Sequence, residues 1–157
     1  MITDAYSRKI IGWSLRKDLT HKGPEEALKM ALKQRKAKLD LMHHSDRGIQ
    51  YCCDNYIRLL KKNKIEISMT QNGDPYENAL AERIHRTLKE EFLQYYVYGN
   101  YDQAKEAVAR AIHLYNRRRP HLSLDFLTPD QVYFDSEELR KGSPQQLELF
   151  TSPEAGL

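Results

Sequence analysis

LDLMHHSDRGIQYCCDNYIRLLKKNKIEISMT, residues 39–70, changes its hydrophobic period twice. Residues 39–44 are a short apolar run that stops at Ser45-Asp46-Arg47-Gly48, the pattern of a strand that delivers a polar turn. From Tyr51 to Lys62 the period is helical, with Tyr56, Ile57 and Leu60 inward. From Lys64 to Thr70, Ile65, Ile67 and Met69 alternate with Glu66, Ser68 and Thr70, which is the period of a strand. Strand, helix and strand in succession predict an α/β layer structure with helices on the sheet faces. The polar groups at strand carboxyl ends then gather along one rim, and Asp46 is one of them.

The same alternation continues outward. Upstream, KIIGWSLR at 9–16 is rich in β-branched and aromatic residues and reads as a strand, with Gly12 marking a bulge or a close approach. A helix is expected from Thr20 to about Lys36, with Pro24, Glu25 and Glu26 in its first turns and Ala27, Leu28, Ala31 and Leu32 inward. Lys29, Lys33, Lys36 and Lys38 then read as a solvated face. Downstream, the chain turns at Asn72-Gly73, and Asp74-Pro75-Tyr76-Glu77 has the form of a capping box. A long helix follows to about Tyr95, burying Leu80, Ile84, Leu88 and Phe92. Another, Gln103 to Arg118, buries Val108, Ala111, Ile112 and Tyr115 and stops before Pro120. Arg117, Arg118 and Arg119 sit at its negative end, where cations cap, and Tyr115 and Asn116 read as fixing the turn. One short helix is expected after Thr128-Pro129, and from Gly142 a loose tail.

The 157 residues suffice for one core and exclude two full domains. Ten Tyr, four Phe and one Trp supply packing surface that a disordered chain lacks. No apolar run approaches the roughly 18–20 residues of a membrane-spanning helix, and MITDAYSRK has no signal-peptide stretch, so the cytoplasm is the expected compartment. Cys52 and Cys53 are adjacent, which indicates neither a disulfide framework nor a zinc cluster. The net charge of +3 is unevenly spread: residues 134–157 carry five acidic against two basic side chains, leaving +6 on residues 1–133. A basic body permits a polyanionic partner without requiring one.

Two carboxylates stand at element ends. Asp46 follows a strand directly, and Glu82 lies in the first two turns of the long helix, with 35 residues between them. Acidic groups at a strand end and a helix start can converge on a hard divalent cation, which takes a few carboxylate oxygens plus waters and phosphate oxygens. Glu82, Arg86 and Lys89 fall at i, i+4 and i+7 on one helix face. That order suits a metal ligand beside a phosphate backbone; an ordinary solvated face with an i,i+4 ion pair accounts for it as well.

HHSDRGIQY at 43–51, QNGDPYENALAERIHRTLKEE at 71–91, YNRRRPHLSLDFLTP at 115–129 and DAYSRKIIGWSL at 4–15 together resemble the integrase-like core of insertion-sequence transposases, kin of retroviral integrases. The likeness runs over about residues 2–133, and the 35-residue spacing between Asp and Glu is typical of that family. It implies a ribonuclease-H-like fold with a mixed sheet and flanking helices, an Asp-Asp-Glu triad holding two Mg²⁺ (or Mn²⁺) ions, and cleavage and transfer of transposon ends into target DNA. Asp46 then resembles the second Asp and Glu82 the Glu, both catalytic and metal-binding, while Arg86 and Lys89 resemble helix positions that touch DNA near the active site; His85, one residue before Arg86, reads equally as a DNA-binding residue and as a solvated one. His43 and His44 fall in a segment the family uses structurally.

The family's first Asp lies on a first strand upstream of the motif that opens this chain. Asp4 matches the motif's own Asp, not the catalytic one. The resemblance therefore implies an amino-terminally truncated product: a partial catalytic core at 1–133 with the first strand missing, and a flexible acidic tail at 134–157. That absence is expected to leave the 10–15 strand unpaired with the 39–44 strand and two backbone edges open. Two functions follow: a transposase fragment acting in DNA integration and recombination, or a catalytically inactive DNA-binding or interaction remnant. Expected partners are DNA, further copies of the chain and intact transposase.

Overall fold

Asp4 turns the chain back on itself. Buried, its Oδ1 accepts hydrogen bonds from the Ser7 N–H at 2.7 Å and the Ser7 hydroxyl at 2.6 Å. This is the short-range bonding by which Asp and Ser favour turns. Arg8 completes the reversal with φ of 65°, and β1 (Ile2–Asp4) pairs antiparallel with β2 (Ile10–Gly12). The computed structural model describes residues 1–34, 40–46, 48–69, 79–140 and 147–151, with residues 137–140 and 147–151 described by their backbone.

After β2 come α1 (Lys22–Gln34), β3 (Leu41–Ser45), α2 (Asp54–Lys62) and β4 (Ile65–Met69), as the alternating periods predict. Along β3, buried Leu41, His43 and Ser45 alternate with half-buried Met42 and His44. The strands β3 and β4 are parallel, in register from Leu41 opposite Ile65 to Ser45 opposite Met69. α1 packs on the hairpin at Gly12, where a Cβ would stand 2.1 Å from the Ala27 carbonyl oxygen, so the close approach requires glycine.

The sheet departs from expectation at its centre. Its order is β2-β1-β5-β3-β4, where β5 (Leu147–Thr151) comes from the carboxyl-terminal segment. β5 runs antiparallel to β1, with Thr3 opposite Phe150, and parallel to β3, with His44 opposite Phe150. The gap expected between the hairpin and β3 is thus filled by residues 147–151. The helix expected after Thr128-Pro129 is α5 (Pro129–Arg140), which runs into the segment read as a flexible acidic tail, and that segment also contributes this central strand. The physical reason is that both facing backbones need partners, and a five-residue extended segment supplies them.

Two apolar clusters cover the sheet. Ile2, Ile11, Leu28, Leu41, Tyr56 and Leu60 form one, under α1 and α2. Ile10, Ile84, Leu88, Leu93, Ile112 and Tyr115 form the other, under α3 (Ala79–Thr87) and α4 (Tyr101–Arg118). Full burial of one such side chain stabilises by about 1.5–3 kcal/mol. The expected long helix changes winding midway: α3 is continued by a π-helical segment, Leu88–Leu93. Ile84 and Leu88 are buried as expected, whereas Phe92 is half-buried and Leu93 takes the inward place. α4 begins two residues earlier than its apolar period suggests, because Asn100 Oδ1 accepts from the Gln103 N–H and Gln103 Oε1 from the Gly99 N–H, both at 2.9 Å. The Asn72-Gly73 turn, the Asp74 capping box, Lys36, Lys38 and Arg47 lie outside the described residues. No helix among the described residues is long and apolar enough to cross a membrane.

Candidate active site

Asp46 leaves the carboxyl end of β3 half-buried. Its Oδ1 accepts the Gly48 N–H at 2.9 Å, which fixes the carboxylate against the turn. A Cβ on Gly48 would stand 2.9 Å from that same oxygen, so a side chain there would displace the carboxylate. On the same face of β3, His44 Nδ1 lies 3.0 Å from the Ser68 Oγ of its register partner on β4. His43 points the other way. It is buried, with Nε2 2.8 Å from the Tyr56 hydroxyl, and desolvation lowers its pKa from 6.5 to about 4. Burial also drives the Tyr56 hydroxyl upward, so both partners are neutral at pH 7. His43 thus belongs to the core, as its structural reading requires.

Glu82 stands exposed in the first turn of α3, where the helix dipole favours an anion. Arg86 is exposed one turn later, and Lys89 is exposed within the π-helical segment. The Glu82–Arg86 ion pair that the spacing allows is not made; among the described residues neither has an ion-pair partner. The face is solvated without that pair. His85, between them, is half-buried, and desolvation, reinforced by the chain's amino terminus, lowers its pKa to about 4. It stands there as a neutral hydrogen-bonding ring.

Asp46 and Glu82 come from different layers, one from the sheet and one from the helix that lies against β5. Among the described residues no three His, Cys, Asp or Glu side chains group to hold a metal ion. The donor chemistry of the two carboxylates fits a hard cation, since Mg²⁺ is commonly held by one or two carboxylates with waters and substrate phosphates completing the shell. Asp4 does not join them, being buried and committed to Ser7.

Further polar contacts, at the end of α4, escape sequence reasoning. Asn116, expected to fix a turn, instead clamps β2: its Oδ1 accepts from the Ile10 N–H at 3.0 Å and its Nδ2 donates to the Ile10 carbonyl at 2.9 Å. Buried Tyr115 donates its hydroxyl to the Arg8 carbonyl at 3.2 Å, and burial raises its pKa. Arg119 makes a bidentate pair with Glu91 at 2.6 and 2.7 Å, tying the end of α4 to the π-helical segment. Arg117 and Arg118 remain exposed. The adjacency of these groups is non-local, and only the polar residue types at 115–119 hinted at it.

Two family models, both described as integrase core domain, match residues 1–75 and 63–129. The insertion element IS600 uncharacterized 31 kDa protein of Shigella sonnei is 35% identical over 129 residues, covering 82% of this chain and 47% of that protein. The transposase InsF for insertion sequence IS3fB of Escherichia coli K12 is 34% identical over 144 residues, covering 88% and 48%. The chain thus spans about half the length of the curated relatives it matches. Among solved structures, the catalytic core domain of BIV integrase superposes with a TM-score of 0.63 at 21% identity, covering 82% of this chain and 80% of that one. The HTLV-2 integrase catalytic core in complex with magnesium (trimeric form) gives 0.63 at 17%, covering 83% and 81%. These two establish the ribonuclease-H-like fold.

Proposed function

The chain belongs to the integrase-core family of insertion-sequence transposases, and from that premise we propose that it is the catalytic-core portion of a DNA-cleaving and strand-transferring enzyme. One observation carries the reading: the Asp46 carboxylate, fixed at the end of β3, accompanies a Glu82–Arg86–Lys89 face that is exposed and unpaired among the described residues. Asp46 and Glu82 would hold a divalent cation, Mg²⁺ or Mn²⁺, with two ions in the complete site. Such an ion, when bound, polarises a phosphodiester and lowers the pKa of coordinated water. Arg86 and Lys89 neutralise backbone phosphates, and neutral His85 offers hydrogen bonding beside them. Gly48 keeps the Asp46 carboxylate from turning away. DNA, as transposon end and target, is the partner, together with further copies of the chain or intact transposase.

A second reading, DNA binding without reaction by the chain alone, is favoured by the commitment of Asp4 to Ser7, which leaves Asp46 and Glu82 as the candidate ligands among the described residues. Nicking of DNA in Mg²⁺ or Mn²⁺, compared with Asp46→Asn and Glu82→Gln, separates the two. Activity lost in both variants supports the enzyme reading. Equal background from all three proteins overturns it and leaves the binding one. Binding should weaken steeply with salt, and Arg86→Ala with Lys89→Ala should weaken it further and flatten the slope.

A further inference from the structure

The end of α2 carries a second concentration of positive charge, away from the candidate active site. Arg58, Lys61, Lys62 and Lys64 are all exposed, whereas Tyr56 and Leu60 of the same helix are buried. Lys33, exposed in the last turn of the neighbouring helix α1, adds a fifth cation. Among the described residues the carboxylates near the starts of β3 and β4 are Asp40 and Glu66, so five cations stand with two anions. Within the described part of the chain none of the five cations is engaged in an ion pair.

Helix capping accounts for only part of this cluster. Lys61 and Lys62 lie in the last turn of α2, where cations offset the helix dipole. Arg58 stands a turn earlier, at i,i+4 from Lys62, a spacing at which like charges repel. Its Nη2 donates to the Asn55 Oδ1 at 2.7 Å, which holds the guanidinium along the helix. Lys64 lies beyond the helix with φ of 55°, the left-handed conformation that glycine fills most readily at a helix end. Its N–H donates to the Lys61 carbonyl at 3.0 Å, so the turn keeps it beside the helix end. A lysine in a position suited to glycine and a repulsive pair on the helix both cost stability in the free chain, and an anionic partner offsets both.

We propose that the end of α2 is a second DNA-binding surface, which takes the phosphate backbone of a duplex other than the one at the candidate active site. β3 and β4 are parallel and in register, and α2 ends two residues before β4, so its cations gather at the rim where both strands begin. Asp46 follows the other end of β3, about 16 Å away along a five-residue strand. Arg86 and Lys89 belong to the helical layer on the opposite sheet face, since Ile84 and Leu88 pack in one apolar cluster and Tyr56 and Leu60 in the other. The two basic surfaces thus differ in both rim and face, and one chain can hold two duplexes. Contact through phosphates carries no sequence preference. The choice of duplex DNA as the polyanion rests on the function proposed above; the surface itself does not.

The test uses the full chain and duplexes of arbitrary sequence. Wild-type chain held on a bead-bound duplex should retain a second, fluorescent duplex. Lys61→Gln, Lys62→Gln and Lys64→Gln together should still bind the bead duplex and lose the second one. Arg58→Gln with Lys62→Gln repeats this without touching the turn at Lys64. Lys17→Gln, Lys105→Gln and Arg110→Gln remove the same charge as the triple variant from exposed positions elsewhere and should leave bridging unchanged. In the Arg86→Ala, Lys89→Ala background, fluorescence anisotropy should show residual affinity that drops about tenfold or more with the three α2 lysines, and a salt slope flatter by about 2–3. Bridging that survives both sets of α2 substitutions comes from copies holding one duplex each and overturns the proposal. Equal losses in the charge control reduce the effect to net charge and overturn it as well. No residual binding in the Arg86→Ala, Lys89→Ala background overturns it and leaves the proposed function standing. Binding indifferent to Arg86 and Lys89 but lost with the α2 cations supports this surface and overturns the DNA face read on α3.

Discussion

Asn116 meets Ile10 as a neighbouring strand would. Its side-chain amide accepts from the Ile10 N–H at 3.0 Å and donates to the Ile10 carbonyl at 2.9 Å, closing the outer edge of β2, which ends the sheet. An exposed edge invites pairing with other chains, and the clamp protects this one. Asn116→Ala leaves two buried backbone groups without partners and is expected to cost about 2–3 kcal/mol. Urea unfolding should show a lower midpoint with an unchanged slope, and increased aggregation near the midpoint.

Gly12→Ala is the most disruptive single-methyl change expected. Its Cβ would meet backbone, the Ala27 carbonyl oxygen at 2.1 Å, so α1 must separate from the hairpin. The expected loss is about 3 kcal/mol or more. Gly99→Ala serves as control, because its Cβ would meet the flexible Gln103 Oε1 at 3.1 Å, and a thermal melt should place it close to wild type.

Acid should weaken the fold before the carboxylates titrate. His43 is held near a pKa of 4 by burial, against 6.5 when unfolded. Below pH 6.5 the unfolded chain takes up a proton that the folded chain refuses, so stability is full above 6.5 and declines as pH falls toward 4. The slope is about 1 kcal/mol per pH unit for one such histidine. His43→Leu with Tyr56→Phe, which removes both buried polar partners, should flatten the decline between pH 6.5 and 5 in denaturant titrations. An unchanged slope would contradict the assignment.

The Glu91–Arg119 pair predicts a smaller effect of opposite electrostatic origin. Hydrogen bonding from Arg119 lowers the Glu91 pKa, so the pair stabilises above the usual carboxylate range and the contribution is lost as pH falls through the lowered value. Both side chains are partly exposed, which limits the coupling to about 1 kcal/mol or less in a double-mutant cycle. It should shrink at high salt.

Local period carried much of this structure. Residues 39–70 announced β3, α2 and β4, because each needed only its own spacing to show which face is buried. The four-residue repeat of Leu80, Ile84, Leu88 and Phe92 concealed a change of winding: in an α-helix each such step drifts by about 40°, and the π-helical segment instead turns Leu93 inward. β5 was illegible because LELFT sits among Gly, Ser, Pro and Gln, and becomes a strand through two distant partners. Asp46 and Glu82 were found at element ends by residue type and spacing, whereas the Asn116 clamp and the Glu91–Arg119 pair depend on contacts between residues 106 and 28 positions apart.

The central claim is that Asp46 and Glu82 serve one cation. Titrating Mn²⁺ into the ¹⁵N-labelled chain and following paramagnetic broadening of its amide signals tests this directly, independently of activity. The account predicts that Gly48, bonded to Asp46, broadens together with Glu82 and Arg83 at the same Mn²⁺ concentration, and that Asp46→Asn abolishes both. Broadening confined to one of the two segments, or persisting at Glu82 in the Asp46→Asn variant, would contradict it.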